Sequence, residues 1–155
     1  MDVLLLNSSS FTPVQYVKEG ICQGRASPAI WPPTTLATIG AICKRIEGVN
    51  VRLVDANALK LTKPGLLSVY KNFEPDIVFL NTTTPTFPSD LKSAELAKQV
   101  NPSVTTIMIG THVSATAEDV VSTPYVDIVI RNEPELIALN LMTAMVNNNK
   151  PVSYT

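Results

Sequence analysis

The sequence is short of cysteine, histidine, glycine and charge, and it has no long hydrophobic run. Two cysteines, one histidine and six glycines stand in 155 residues, and 16% of the chain is charged. Cys22 and Cys43 can build neither a disulfide framework nor a four-cysteine zinc site. With His112 as the only histidine, neither cysteine has an evident base beside it for nucleophilic catalysis. Twelve Lys and Arg against thirteen Asp and Glu leave a net charge of -1, which removes the electrostatic footprint of a nucleic-acid binder. No stretch approaches the ~20 apolar residues of a membrane helix. The apolar run at residues 3–6 is too short for a signal-peptide core and lacks a basic flank. These absences predict a soluble, cytoplasmic chain without membrane insertion. Glycine is missing where a dinucleotide fold needs it: Ser8-Ser9-Ser10-Phe11 follows the first apolar run, and no glycine occurs before Gly20. There is no phosphate loop and no G-x-S-x-G elbow.

What is present is apolar and periodic. At 45% apolar the chain is not disordered, and its length predicts one domain able to bury roughly 68–70% of its unfolded surface. Five nearly continuous apolar runs, at residues 3–6, 51–54, 77–80, 105–109 and 128–130, read as parallel strands covered on both faces. Helical spacing separates them over 34–46, 64–73, 89–100, 116–121 and 133–146. Ser89 is expected as an N-cap, and Thr116 with Asp119 as a capping box. The alternation defines an α/β class: a three-layer α/β/α, Rossmann-like (flavodoxin-like) domain with a five-stranded parallel sheet. Residues 7–33 form a long connection with no element of its own, and loops of that length are usually functional or mobile.

Ligands of open parallel sheets sit outside the carboxyl ends of the strands. Asn7 and Asn81 stand there where a phosphoacceptor receiver domain needs acidic residues. Ser8, Ser9, Ser10 and Thr12 have the composition of a flavodoxin phosphate turn, but the helix begins about twenty residues too late. Two readings of the polar strand ends remain. Thr82-Thr83-Thr84-Pro85-Thr86, Gly110 and the Trp31-Pro32-Pro33 loop can hold a bulky ligand through hydroxyls, a close backbone approach and a flat apolar cover. Alternatively, these residues simply finish strands and cap helices.

The order of motifs runs Pro32-Pro33-Thr34-Thr35-Leu36, Val54-Asp55-Ala56-Asn57-Ala58, Pro75-Asp76-Ile77-Val78 and Thr83-Thr84-Pro85-Thr86-Phe87. Gly110-Thr111-His112-Val113 and Ile130-Arg131-Asn132-Glu133-Pro134-Glu135 follow. This order resembles the N-terminal cobalamin-binding domain of radical S-adenosylmethionine enzymes, the group containing the anaerobic magnesium-protoporphyrin IX monomethyl ester oxidative cyclase. The resemblance covers nearly the whole chain. It implies base-off cobalamin held at the strand ends by Ser8, Ser9, Ser10, Trp31, Asp55, Thr82, Thr83, Thr84, Pro85, Thr86, Gly110, Thr111, His112, Val113 and Arg131. It implies no catalytic residue in this segment. It further implies a cobalamin domain over 1–149, a linker beginning over 150–155, and a C-terminal partner domain that binds S-adenosylmethionine and a 4Fe-4S cluster.

Three departures accompany it. Thr111 and Asn132 replace usual glycines, and the D-x-H-x-x-G motif that supplies a lower cobalt ligand is absent. His112 is therefore expected as a loop residue bonded to backbone or cofactor periphery, with no protein ligand to the metal. The cluster motif C-x-x-x-C-x-x-C is missing from this segment. On the last helix Leu139, Leu141, Met142, Met145 and Val146 spread over about half the circumference, wider than the ~100° that faces one core, as expected of a surface that meets a further domain. The competing expectation is a non-catalytic, flavodoxin-like interaction or regulatory module that has lost its cofactor.

Overall fold

The computed structural model describes residues 1–20, 24–26, 29 and 31–147. The expectations that involve Cys22, Pro28 and the linker at 150–155 lie outside them. Five strands form one parallel sheet: β1 (Asp2–Asn7), β2 (Asn50–Asp55), β3 (Ile77–Asn81), β4 (Thr105–Ile109) and β5 (Ile128–Val129). Their order is β2-β1-β3-β4-β5, with Leu5 beside both Leu53 and Phe79, and Phe79 beside Ile107. The chain reverses direction across the sheet between β1 and β3, and that switch point opens the crevice where such sheets take ligands.

Successive strand residues point to opposite faces, so each strand feeds two cores. Leu4, Leu6, Val78, Leu80 and Met108 pack on one side with Leu66 and Tyr70 of α2 (Lys63–Phe73) and Ala94 and Ala97 of α3 (Phe87–Val100). Val3, Leu5, Ile77, Phe79 and Ile107 pack on the other with Leu36, Ile39 and Cys43 of α1 (Thr34–Cys43) and Leu141 and Met142 of α6 (Pro134–Val146). This is the three-layer sandwich that the alternating runs predict. The buried residues of α1 and α2 fall at helical spacing within the segments predicted at 34–46 and 64–73, α1 ending at Cys43. Burial pushes the Cys43 thiol up to about 11, so at neutral pH it is a protonated core side chain. Among the described residues, no helix is long and apolar enough to cross a membrane.

α1 begins at Thr34 as expected, but the helices expected to open at Ser89 and Thr116 start differently, each for a local reason. α3 begins at Phe87, ahead of Ser89, because residues 83–86 already turn. Thr83 N–H donates to Thr86 Oγ1 at 3.0 Å and Phe87 N–H to the Thr83 carbonyl at 2.9 Å. Thr116 forms no capping box; its hydroxyl donates back to the His112 carbonyl at 2.9 Å. That bond closes an extra short helix, α4 (Thr111–Ala115), ahead of α5 (Ala117–Val121). Five residues are too few to show a helical period.

Candidate cofactor-binding site

The described residues 16–19 of the long connection after β1 are tied down. Tyr16 and Ala26 form an antiparallel bridge, with Val17 N–H donating to the Arg25 carbonyl at 2.9 Å and Gly24 N–H to the Val17 carbonyl at 2.7 Å. The Tyr16 carbonyl accepts from Asn57 beyond β2 at 3.3 Å. The Lys18 carbonyl accepts from Asn81 at the end of β3 at 3.4 Å. Because β1 lies between those strands, residues 16–18 pass as a strap across the carboxyl end of β1, at the switch point.

Two charges anchor the strap. The Lys18 ammonium pairs with Asp90 of α3 at 2.5 Å, and both side chains are buried, at 3% and 0% exposure. The ammonium also reaches the Ser8 carbonyl and hydroxyl, each at 3.2 Å. Ser8 and Thr86 hydroxyls donate to the Asp90 carboxylate, so the ion pair is fully hydrogen-bonded, the condition under which a buried pair persists. The negative charge of Asp90 adds to burial in raising the Tyr70 phenol far above its ordinary value. Glu19 serves α1, whose first turn follows Pro33 without a side-chain cap of its own. The Glu19 carboxylate accepts from the Thr34 hydroxyl at 3.1 Å, the Thr35 hydroxyl at 2.9 Å, Thr35 N–H at 3.3 Å and the Asn81 amide at 3.2 Å. A carboxylate so placed also complements the helix dipole.

The strap leaves open clefts on both flanks. One, of about 590 Å³, lies between Ser9, Ser10 and Phe11 after β1 and Lys60, Thr62 and Lys63 after β2. The other, of about 530 Å³, is lined by Thr35, Asn81, Gly110, Thr111, Ser114 and Asn132, with Glu133 and Glu135 at α6.

The residues expected at the site divide by role. Ser9 and Ser10 line the first cleft and Gly110 and Thr111 the second. Trp31, 43% exposed, lies near Gly20 at the end of the strap. Arg131, Thr84 and Pro85 are exposed. His112 rests on the Phe87 ring, centroids 4.3 Å apart, with Nδ1 3.3 Å from the Thr84 hydroxyl and Nε2 3.3 Å from that of Thr116. It lies in α4, not in a loop as expected, and its ring nitrogens meet threonine side chains. The others serve the fold. Ser8 and Thr86 hold Asp90, and the Thr83 and Thr86 hydroxyls bond each other at 3.0 Å. Thr82 is buried with its hydroxyl on the Thr83 carbonyl at 3.4 Å. Asp55 accepts from the Asn7 amide at 2.8 Å and Ala58 N–H at 2.9 Å. Val113 is in the core. The glycine at 110 is required by the protein itself: at φ +110° an added Cβ would run into the Thr82 carbonyl and stand 2.5 Å from Asn81 Oδ1.

Sequence reasoning missed Lys18, Glu19 and Asn81 as residues that shape this face. The signal was available only for Asn81, as the polar residue ending the third apolar run. Nothing in the spacing paired Lys18 with Asp90. Asn7 Oδ1 is the one sealed side-chain acceptor without a donor among the described residues.

A parallel β2-β1-β3-β4-β5 sheet defines a doubly wound α/β domain, a class in which ligands sit at the carboxyl ends of the strands. The chain belongs to the B12-binding domain family, whose model matches residues 24–148. It is 30% identical over 116 residues to the anaerobic magnesium-protoporphyrin IX monomethyl ester cyclase of Rubrivivax gelatinosus, covering 74% of this chain and 21% of that protein. It is 33% identical over 115 residues to an uncharacterized methyltransferase of Pyrococcus horikoshii, covering 74% and 25%. The cyclase of Cereibacter sphaeroides is 24% identical over 120 residues, covering 77% and 20%. The chain thus spans about a fifth to a quarter of the length of these curated relatives. Among solved structures, the response regulator domain of Thermotoga maritima CheB superposes with a TM-score of 0.52 at 11% identity, over 96% of this chain and 92% of that one. That likeness shows the fold.

Proposed function

We propose that this chain is the cobalamin-holding domain of a larger radical S-adenosylmethionine enzyme, with the cofactor lying base-off across the carboxyl ends of the strands. The family match over residues 24–148 is the observation that carries it. The second cleft supports it chemically. Asn81, Thr111, Ser114 and Asn132 are neutral hydrogen-bonding groups suited to a periphery of uncharged amides. When bound, cobalt supplies the reactive chemistry of the intact enzyme, while residues of this chain bind and orient. Both ring nitrogens of His112 already face threonine hydroxyls, which supports a cofactor without a protein imidazole beneath it. The names and greater lengths of the relatives support a catalytic partner domain; we take it to hold a 4Fe-4S cluster and S-adenosylmethionine and to be joined through a linker beginning near residue 150, as the motif resemblance implies. Ring closure on a porphyrin, as in the named cyclases, is the proposed reaction of that whole protein, with methyl transfer as the other named chemistry.

Electron paramagnetic resonance of protein-held cob(II)alamin tests the base-off state. The expected spectrum has no splitting from an axial nitrogen, and nitrogen splitting overturns it. A C-x-x-x-C-x-x-C motif encoded beyond Thr155 is expected, and its absence overturns the radical enzyme assignment.

A module that has lost its cofactor is favoured by one observation: Ser8, Thr82, Thr83 and Thr86 spend their hydroxyls on the protein. Cobalamin retention separates the two readings.

A further inference from the structure

Asn81 is 4% exposed, yet half of its amide is unused. Its Nδ2 donates to Glu19 Oε1 at 3.2 Å and to the Lys18 carbonyl at 3.4 Å. Its Oδ1 receives no hydrogen bond from any described residue. Unlike Asn7 Oδ1, it is not sealed from solvent. Asn81 lines the second cleft, and Oδ1 lies on the side of Gly110 where a Cβ would stand 2.5 Å from it, so it has no N–H donor there. Glu19 and the Lys18 carbonyl can only accept here, so together they hold the amide with nitrogen toward the strap and oxygen toward Gly110.

We infer that Asn81 Oδ1 is a specificity-determining acceptor that reads an N–H donor of the ligand, with Glu19 as the positioning residue that fixes the orientation of the amide. On the cobalamin reading, from which this inference proceeds, the donor is a primary amide at the corrin edge. A carboxylate in the same place offers no proton and faces an acceptor, with Glu133 and Glu135 on the same cleft. The site therefore prefers amides to carboxylates. A site built to hydrogen-bond a donor rejects an analogue that lacks it, because its own acceptor is then left unpaired.

The test compares dicyanocobinamide, which keeps the side-arm amides and lacks the nucleotide tail, with dicyanocobyrinic acid, in which those amides are carboxylates. Equilibrium dialysis measures both against the 155-residue chain, Asn81→Ala and Glu19→Gln, with thermal unfolding run in parallel. Wild type is expected to favour cobinamide. Asn81→Ala is expected to weaken cobinamide roughly 3- to 10-fold and to leave the acid unchanged. Glu19→Gln, whose amide can donate to Asn81 Oδ1 and release the orientation, is expected to lose part of the preference. An undiminished preference in folded Asn81→Ala overturns the inference. Should that variant not fold, an undiminished preference in Glu19→Gln does the same. Wild type binding both corrinoids equally, or holding hydroxocobalamin but neither of them, overturns this inference alone, whereas failure to hold hydroxocobalamin as well overturns the cobalamin reading beneath it.

Discussion

Lys18 and Asp90 are 72 positions apart in the chain and meet as a buried ion pair of 2.5 Å. The contact fixes the strap after β1 to a helix on one face of the sheet, while Glu19 beside it fixes the strap to α1 on the other. The strand-end face is therefore a built floor with a cleft on either side.

Removing one member of that pair leaves a buried charge alone. Lys18→Met is expected to lower stability by about 3–5 kcal/mol in urea unfolding. Lys18→Met/Asp90→Leu should cost less than the sum of the two single variants. Strict additivity would show that the charges do not act as a pair.

The layers and the parallel five-stranded sheet could be read from the sequence because hydrophobic period is local information: Leu36, Ile39 and Cys43 mark α1 whatever lies elsewhere. The strap could not be read that way. Its partners, Asn57, Asn81, Asp90 and Thr35, lie on four separate segments that only the fold brings together. Several groups expected at the ligand already have protein partners that the sequence does not reveal, for the same reason. The Thr83 and Thr86 hydroxyls look free in sequence and are consumed by a turn and by Asp90. Gly110 looked like room for a ligand, and the room is filled by the β3 end.

Backbone conformation separates Asn132 from Gly110. Asn132 sits at φ +60°, the left-handed region that asparagine tolerates best after glycine. Asn132→Gly should change stability by less than about 0.5 kcal/mol, and Asn132→Ala should cost about 1 kcal/mol. Gly110→Ala combines a φ of +110° with a collision against Thr82 and should cost more than about 3 kcal/mol. Chemical denaturation orders the three, and a mild Gly110→Ala would contradict the packing described.

Thr111 is exposed, opens α4 and is absent from the left-handed residues. Thr111→Gly should therefore cost no more than about 1 kcal/mol in stability. It should also tighten cobalamin binding by clearing the cleft. Weaker binding would identify the hydroxyl as a contact.

Asp127 joins β4 to β5. Partial burial raises its carboxyl pKa, but hydrogen bonds from Lys98 and from the N–H and hydroxyl of Thr106 outweigh that and hold it below its ordinary 3.8. A depressed folded value means that the stabilisation is present above the unfolded pKa and is lost as pH falls through the folded one. Asp127→Asn should lower stability at neutral pH and flatten the acid limb below about pH 4. An unchanged acid limb in the variant would show that the carboxylate does not contribute. The carboxylate is 40% exposed, so added salt should shrink the effect.

The most direct test of the central claim is to mix the chain with hydroxocobalamin, desalt, and record the visible spectrum of the protein fraction. Cobalamin held across the strand ends predicts corrin absorbance that co-elutes with the protein in about one equivalent and saturates with added cofactor. Complete loss of corrin from a folded chain mixed at roughly tens of micromolar, a regime in which specific cofactor sites are normally occupied, would contradict it.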